Sequence, residues 1–173
     1  MNILHRIGLA SAGLLLLVGS TGCDSIDEDR IPAYPVQINL NNPGLWNVYG
    51  VAGYGQHRDF IRQTGTPANF PFTETTYTGY GGVLLIMGMD PYSAGNVVPL
   101  AYDLSCPVER RENIRVYVDD ETLEAICPVC ESHYDVCMAG GSPTAGPALT
   151  GHVKYALQRY MAYPANGGYV IGR

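Results

Sequence analysis

The chain has 173 residues, and its 16 acidic side chains outnumber the 10 Lys and Arg, giving a formal net charge of −6 at pH 7. That balance argues against a surface that neutralises a phosphate backbone, so no nucleic-acid partner is expected. The length suits one domain with its own hydrophobic core behind a short leader, and no repeat or second linker divides it.

The first residues, "MNILHRIGLASAGLLLLVGSTGC", carry Arg6, an apolar run from Ile7 to Val18 and small residues up to Cys23. This pattern predicts a signal peptide over residues 1–22, since the run falls short of the ~20 residues that span a bilayer. The ending "GSTGC" resembles a bacterial lipobox. That resemblance implies cleavage before Cys23, a lipid on that residue, and a chain anchored to a membrane of the bacterial cell envelope, on its periplasmic face or outer surface. Loss of Arg6 with the leader makes the processed chain one unit more negative. The following "DSIDEDRIPAYP" is acidic, has no hydrophobic period and is closed by prolines, so a flexible tether is expected over residues 23–35. An acidic run just after the lipidated cysteine resembles the surface-export signal of Bacteroidetes lipoproteins, whereas Asp24 also fits retention at an inner membrane. The leaflet stays open.

A folded domain over residues 36–173 is expected to be all-β, a sandwich of small antiparallel sheets. "VQINL", "GGVLLIM", "LAYDL", "IRVYV", "EAICP", "KYALQRY" and "GGYVIG" are short runs rich in β-branched and aromatic residues, with turn residues between them. "GQHRDFIRQTG", residues 55–65, reads as a turn or two of helix, and no longer amphipathic helical period is present. In "IRVYVDDETLEAI" the polar "DDET" predicts a four-residue hairpin turn. The tyrosines are read as strand-face packing.

That hairpin lies between two loops of nearly the same spelling, "SCPVE" and "ICPVC". Their key positions, Cys106, Glu109, Cys127 and Cys130, have the two-knuckle spacing of zinc ribbons and rubredoxin-like sites, with Glu109 where a fourth cysteine would stand. Each knuckle brings its first and fourth residues together, and proline after the first cysteine stiffens the turn. Three thiolates and a carboxylate then surround one metal. Val108 offers no donor. His133 faces away if Tyr134 faces the site, and Cys137 lies about 13 Å further along the same strand at ~3.3 Å per residue.

Read with its flanks, the region from Gly79 to the C-terminus resembles the Rieske [2Fe–2S] family. Cys106 and Pro107, Cys127 and Pro128, then Ser132, Tyr134 and Asp135, and finally Gly146, Pro147 and Ala148 of "AGPAL" match its two loops and its shielding segment. The resemblance implies a Rieske-like sandwich with a rubredoxin-like two-loop subdomain. It also implies thiolates of Cys106 and Cys127 on the inner iron of a [2Fe–2S] cluster, hydroxyls of Ser132 and Tyr134 bonded to cluster sulfurs, and Gly146 and Pro147 shielding the cluster. The outer-iron histidines are replaced by Val108 and Cys130, while Glu131 stands for the usual Gly and Val129 for a loop cysteine. This is similar to a divergent variant in Bacteroidetes lipoproteins with CPxE and CPxC loops. With anionic Cys130 and Glu109 in place of two neutral imidazoles, the expected potential falls toward about −400 mV.

Two function classes stay open at this level. One is a small electron carrier that passes an electron to a redox partner protein and has no substrate chemistry of its own. The other is a non-redox binding or structural module whose loops are held by zinc or by a disulfide, since exported cysteines are usually paired and four remain besides Cys23.

Overall fold

The computed structural model describes residues 30–90, 92, 95–152 and 154–173; the leader and the expected lipidation residue Cys23 lie outside the described residues. The domain is all-β. In chain order its elements are β1 (Val36–Leu40), α1 (Pro43–Tyr49), β2 (His57–Phe60), β3 (Tyr77–Thr78), β4 (Val83–Met89), β5 (Val97–Asp103), β6 (Tyr117–Val118), β7 (Glu124–Ile126), β8 (His133–Asp135), β9 (Ser142–Ala145), α2 (Pro147–Thr150), β10 (Arg159–Ala165) and β11 (Gly168–Gly172). They form a seven-stranded antiparallel sheet in the order β2-β4-β5-β10-β11-β1-β3 and a four-stranded one in the order β6-β7-β8-β9.

The larger sheet curls into a nearly closed barrel. Just beyond β2, the Arg62 guanidinium donates to the Thr76 carbonyl at 2.7 Å, beside β3, so a side chain spans the gap between the first and last strands. In β1 the alternation of "VQINL" sends Val36, Ile38 and Leu40 inward and leaves Gln37 and Asn39 exposed, as a half-buried strand requires.

Strand β4 has apolar residues at successive positions for a different reason. Val83, Leu85 and Met87 join Phe60, Ala101 and Ile171 in the barrel core, while Leu84 and Ile86 on the opposite face join Leu100, Tyr102, Leu104 and Tyr134 in a second core under the smaller sheet. A strand with two dry faces cannot alternate, and the near-continuous run "VLLIM" follows. The paired strands β4 and β5 are therefore the shared wall of two cores.

Four local features differ from expectation. The segment expected to turn helically at residues 55–65 is instead strand β2, paired with β4 from His57↔Ile86 to Phe60↔Val83, followed by one 3-10 turn at Arg62–Thr64. Ladder pairing along β4 and full burial of Phe60 override the weak local preference. A helix that was not expected, α1, is started by the Asn42 side chain accepting from the Leu45 N–H at 2.9 Å, with Pro43 at the first turn. The strand expected across "KYALQRY" starts only at Arg159. Upstream, the backbones of Leu157 and Gln158 are bonded to Gly141 and Asp103, which ties the two sheets together. The β6–β7 turn falls one residue later than expected: Asp119 and Glu124 close it through their backbones, and Asp119 Oδ1 accepts from the Glu121 and Thr122 N–H groups.

Candidate metal centre

Two hairpin loops carry the cysteines, one on the ladder that leaves β5 and one in the smaller sheet. The chain leaving β5 pairs back on itself, Val116 N–H donating to Leu104 O and Cys106 N–H to Ile114 O, and the first cysteine loop closes that ladder. The second loop joins β7 to β8, whose register runs from Glu124↔Asp135 to Ile126↔His133.

The two loops are near copies in backbone as well as in spelling. Cys106 O accepts from the Arg110 N–H at 2.9 Å, and Cys127 O from the Glu131 N–H at 3.1 Å. Arg110 and Glu131 occupy the same left-handed conformation, both at φ 54. The N–H groups of Val108 and Glu109 turn onto the Cys106 sulfur, and those of Val129 and Cys130 onto the Cys127 sulfur. This is the metal-knuckle arrangement: backbone dipoles aimed at a sulfur favour its anionic, ligating form.

The loops bring three sulfurs together. The Sγ atoms of Cys106, Cys127 and Cys130 all lie within 4.8 Å of one another, with Cys106 and Cys130 3.6 Å apart. Four thiolates at ~2.3 Å around a tetrahedral ion have an edge of about 3.8 Å, so this spacing fits ligands of one ion. Cys106 and Cys127 are fully buried and Cys130 is half-buried. The four cysteines among the described residues are free thiols. Burial pushes the Cys106 thiol up to about 12, against the pull of the Tyr134 hydroxyl and the two loop amides, and it raises Cys127 as well. A cation held at the centre of the triangle would supply the missing countercharge and displace the protons.

Ser132 and Tyr134 stand at this cluster. Tyr134 is fully buried, its hydroxyl 3.5 Å from Cys106 Sγ, and burial raises its pKa. Ser132 Oγ lies 3.2 Å from Cys130 Sγ and accepts from the Ala148 N–H at 3.0 Å, so the hydroxyl is held between the second loop and α2. Gly146 and Pro147 begin α2 against that loop. At φ 76 and ψ −165, a Cβ on Gly146 would meet Glu131 O at 2.5 Å and Ser132 Cα at 2.8 Å, so only glycine lets the segment lie this close.

Glu109 departs from the expectation. Its carboxylate is not among the atoms that gather, although its backbone N–H serves Cys106. The side chain is half-buried and keeps contact with water, where a carboxylate's charge costs least. His133 faces away as expected, its Nδ1 2.8 Å from Glu124 Oε2. Cys137 is buried elsewhere, its sulfur 3.9 Å from Leu123 O, and burial together with the Asp135 charge pushes it up to about 11.

One supporting residue was not singled out from sequence. Asp103, fully buried at the end of β5, accepts from the N–H groups of Tyr80, Gly81 and Ser105 and from the Tyr160 hydroxyl at 2.6–2.9 Å. It ties the residue next to Cys106 to the turn before β4 and to β10 of the larger sheet. The signal was the lone carboxylate in the apolar "LAYDLSC". Neither the protein-family models nor the curated proteins contain a match to this chain.

Proposed function

We propose that this is a metal-thiolate protein in which Cys106, Cys127 and Cys130 hold a single soft ion near the surface of a rigid β domain. The observation that carries the reading is the triangle of sulfurs on two matching knuckles with loop amides aimed at them. Three thiolates select zinc, cuprous copper or iron over magnesium or calcium. A binuclear cluster has its terminal sulfurs at opposite ends, two per iron. Cys130 serving a second iron has to stand well away from Cys106, so the 3.6 Å separation favours one ion over [2Fe–2S].

The resemblance to Rieske domains in the CP loops, Ser132, Tyr134 and "AGPAL" supports an electron-carrier role with iron as the ion. Hydrogen bonds to Cys106 from Tyr134, Val108 and Glu109 favour the reduced, more negative centre. A second reading, a redox-silent zinc module, is favoured by the set of three rather than four gathered donors among the described residues. In either case residues 1–22 serve as the cleaved leader and Cys23 as the lipid anchor in the cell envelope, while the end of the expected tether is docked on the domain, with Ile31 buried and the Arg30 guanidinium 4.7 Å over the Tyr155 ring.

Anaerobic purification of the processed chain, followed by metal and acid-labile sulfide assays and EPR, decides among these. One ion per chain without sulfide is expected, and a high-spin ferric signal selects the carrier. Two irons with two sulfides would overturn the single-ion reading, and a chain without stoichiometric metal would overturn both.

A further inference from the structure

We infer that the ion has an open fourth position at the surface, and that this position takes a neutral nitrogen donor of the imidazole type from outside the chain. The inference rests on the single-ion reading above. A tetrahedral ion needs four ligands, and three protein ligands with one free position is the arrangement of zinc sites that exchange a ligand.

Among the described residues, these donors near the triangle have other partners. The Ser132 hydroxyl is shared between Ala148 N–H and Cys130 Sγ, and the Tyr134 hydroxyl lies on Cys106 Sγ. His133 is held by Glu124, the Cys137 sulfur lies at Leu123 O, and the Asp103 carboxylate is saturated by four donors. Among the described residues, Glu109 holds the first-loop position matching Cys130, and its carboxylate stays outside the cluster.

Exposure places the opening. Cys106 and Cys127 are fully buried and Cys130 is half-buried, while Val129, which precedes it, is 58% exposed, and Leu149, which follows the Ala148 whose N–H bonds Ser132, is 45% exposed. The free vertex therefore meets water along the Cys130 edge, beside two apolar side chains. Charge selects the ligand class. A divalent ion with three thiolates already carries a net negative charge, and a fourth anion would add to it at a partly desolvated, apolar rim. A neutral, flat nitrogen heterocycle adds no charge and packs its carbons against Val129 and Leu149.

The test uses the full processed chain with Cys23→Ala, loaded with Co(II), whose visible bands report coordination number and donor type. Titration with imidazole is expected to give a saturable one-to-one band shift. The shift persists in Glu109→Gln, which keeps the backbone N–H. A response in Glu109→Gln but none in the native loop sequence would mean that Glu109 closes the vertex and would overturn the inference. A shift with a small thiol but none with imidazole would overturn the neutral class. Tetrahedral cobalt bands unmoved by any added ligand refute the open position alone, while failure to bind cobalt refutes the metal reading beneath it.

Discussion

Replacing Gly146 by alanine tests how the second loop is held. The residue sits at φ 76 and ψ −165, and its new Cβ would lie 2.5 Å from Glu131 O and 2.8 Å from Ser132 Cα, both backbone atoms without a rotamer to yield. The backbone conformation alone costs a non-glycine residue about 1–3 kcal/mol. Overpacking against main chain adds about 1–3 kcal/mol more. Gly65 supplies the control, since at φ 68 it is also left-handed but a Cβ there meets nothing within 4 Å. Gly65→Ala is expected to cost about 1 kcal/mol and Gly146→Ala about 3 kcal/mol or more. For a domain of this size that difference lowers the melting temperature by several degrees, at roughly 2–4 °C per kcal/mol. Relief of the clash also moves α2 off the loop and breaks the Ala148 N–H bond to Ser132, so Gly146→Ala should weaken metal binding as well, whereas Gly65→Ala should not. Calorimetry of both variants with a competitive metal titration checks the pair. Equal small losses of stability with unchanged affinity would refute the close-approach argument.

Other outcomes follow from the same geometry. Glu131→Gly removes a left-handed strain of about 1–2 kcal/mol at an exposed position, offset in part by the unfolded-state entropy of glycine, so a net gain near 0.5–1 kcal/mol is expected in urea unfolding. The metal-free protein should lose stability as pH rises from about 9 toward 12. The folded Cys106 thiol keeps its proton up to about 12 while the unfolded chain releases it near 9.0, so the folded state binds more protons across that window. Urea midpoints at pH 8 and pH 10 measure this, and a midpoint that rises would contradict the burial of the site. Cys137→Ser should leave metal stoichiometry at the wild-type value, whereas Cys130→Ser should cut affinity at least tenfold in a chelator competition.

Much of this was legible in the residues, for identifiable reasons. The two loops announced themselves because a knuckle is a local structure whose spelling, cysteine, proline and a second donor three places on, is set within the loop. The alternation of "VQINL" gave β1 the same way. Strand β2 was hidden because His57, Arg58 and Asp59 carry no strand signal of their own; β4 beside them makes it a strand. Helix α1 was missed although Asn42 and Pro43 mark its start, since its seven residues are too few to show a period. The position of the Glu109 carboxylate was beyond reach, because a loop sequence fixes where the Cβ points and leaves the later torsions to the surroundings.

The strand pair β4–β5, with one core on each side, bears on how this centre could be moved or modified. In a classical finger-like module the ion is the nucleus of the fold, and removing it dissolves the polypeptide. Here Leu84, Ile86, Leu100 and Tyr102 form a floor beneath the loops that is itself fixed by a barrel containing none of the donors. The loops are thus a fitting mounted on a wall, and the wall is expected to stand with or without an ion in the triangle. Anyone transplanting the two hairpins into another scaffold has to carry both strands and provide a second hydrophobic layer behind them, or the sulfurs will lose their spacing before any metal arrives.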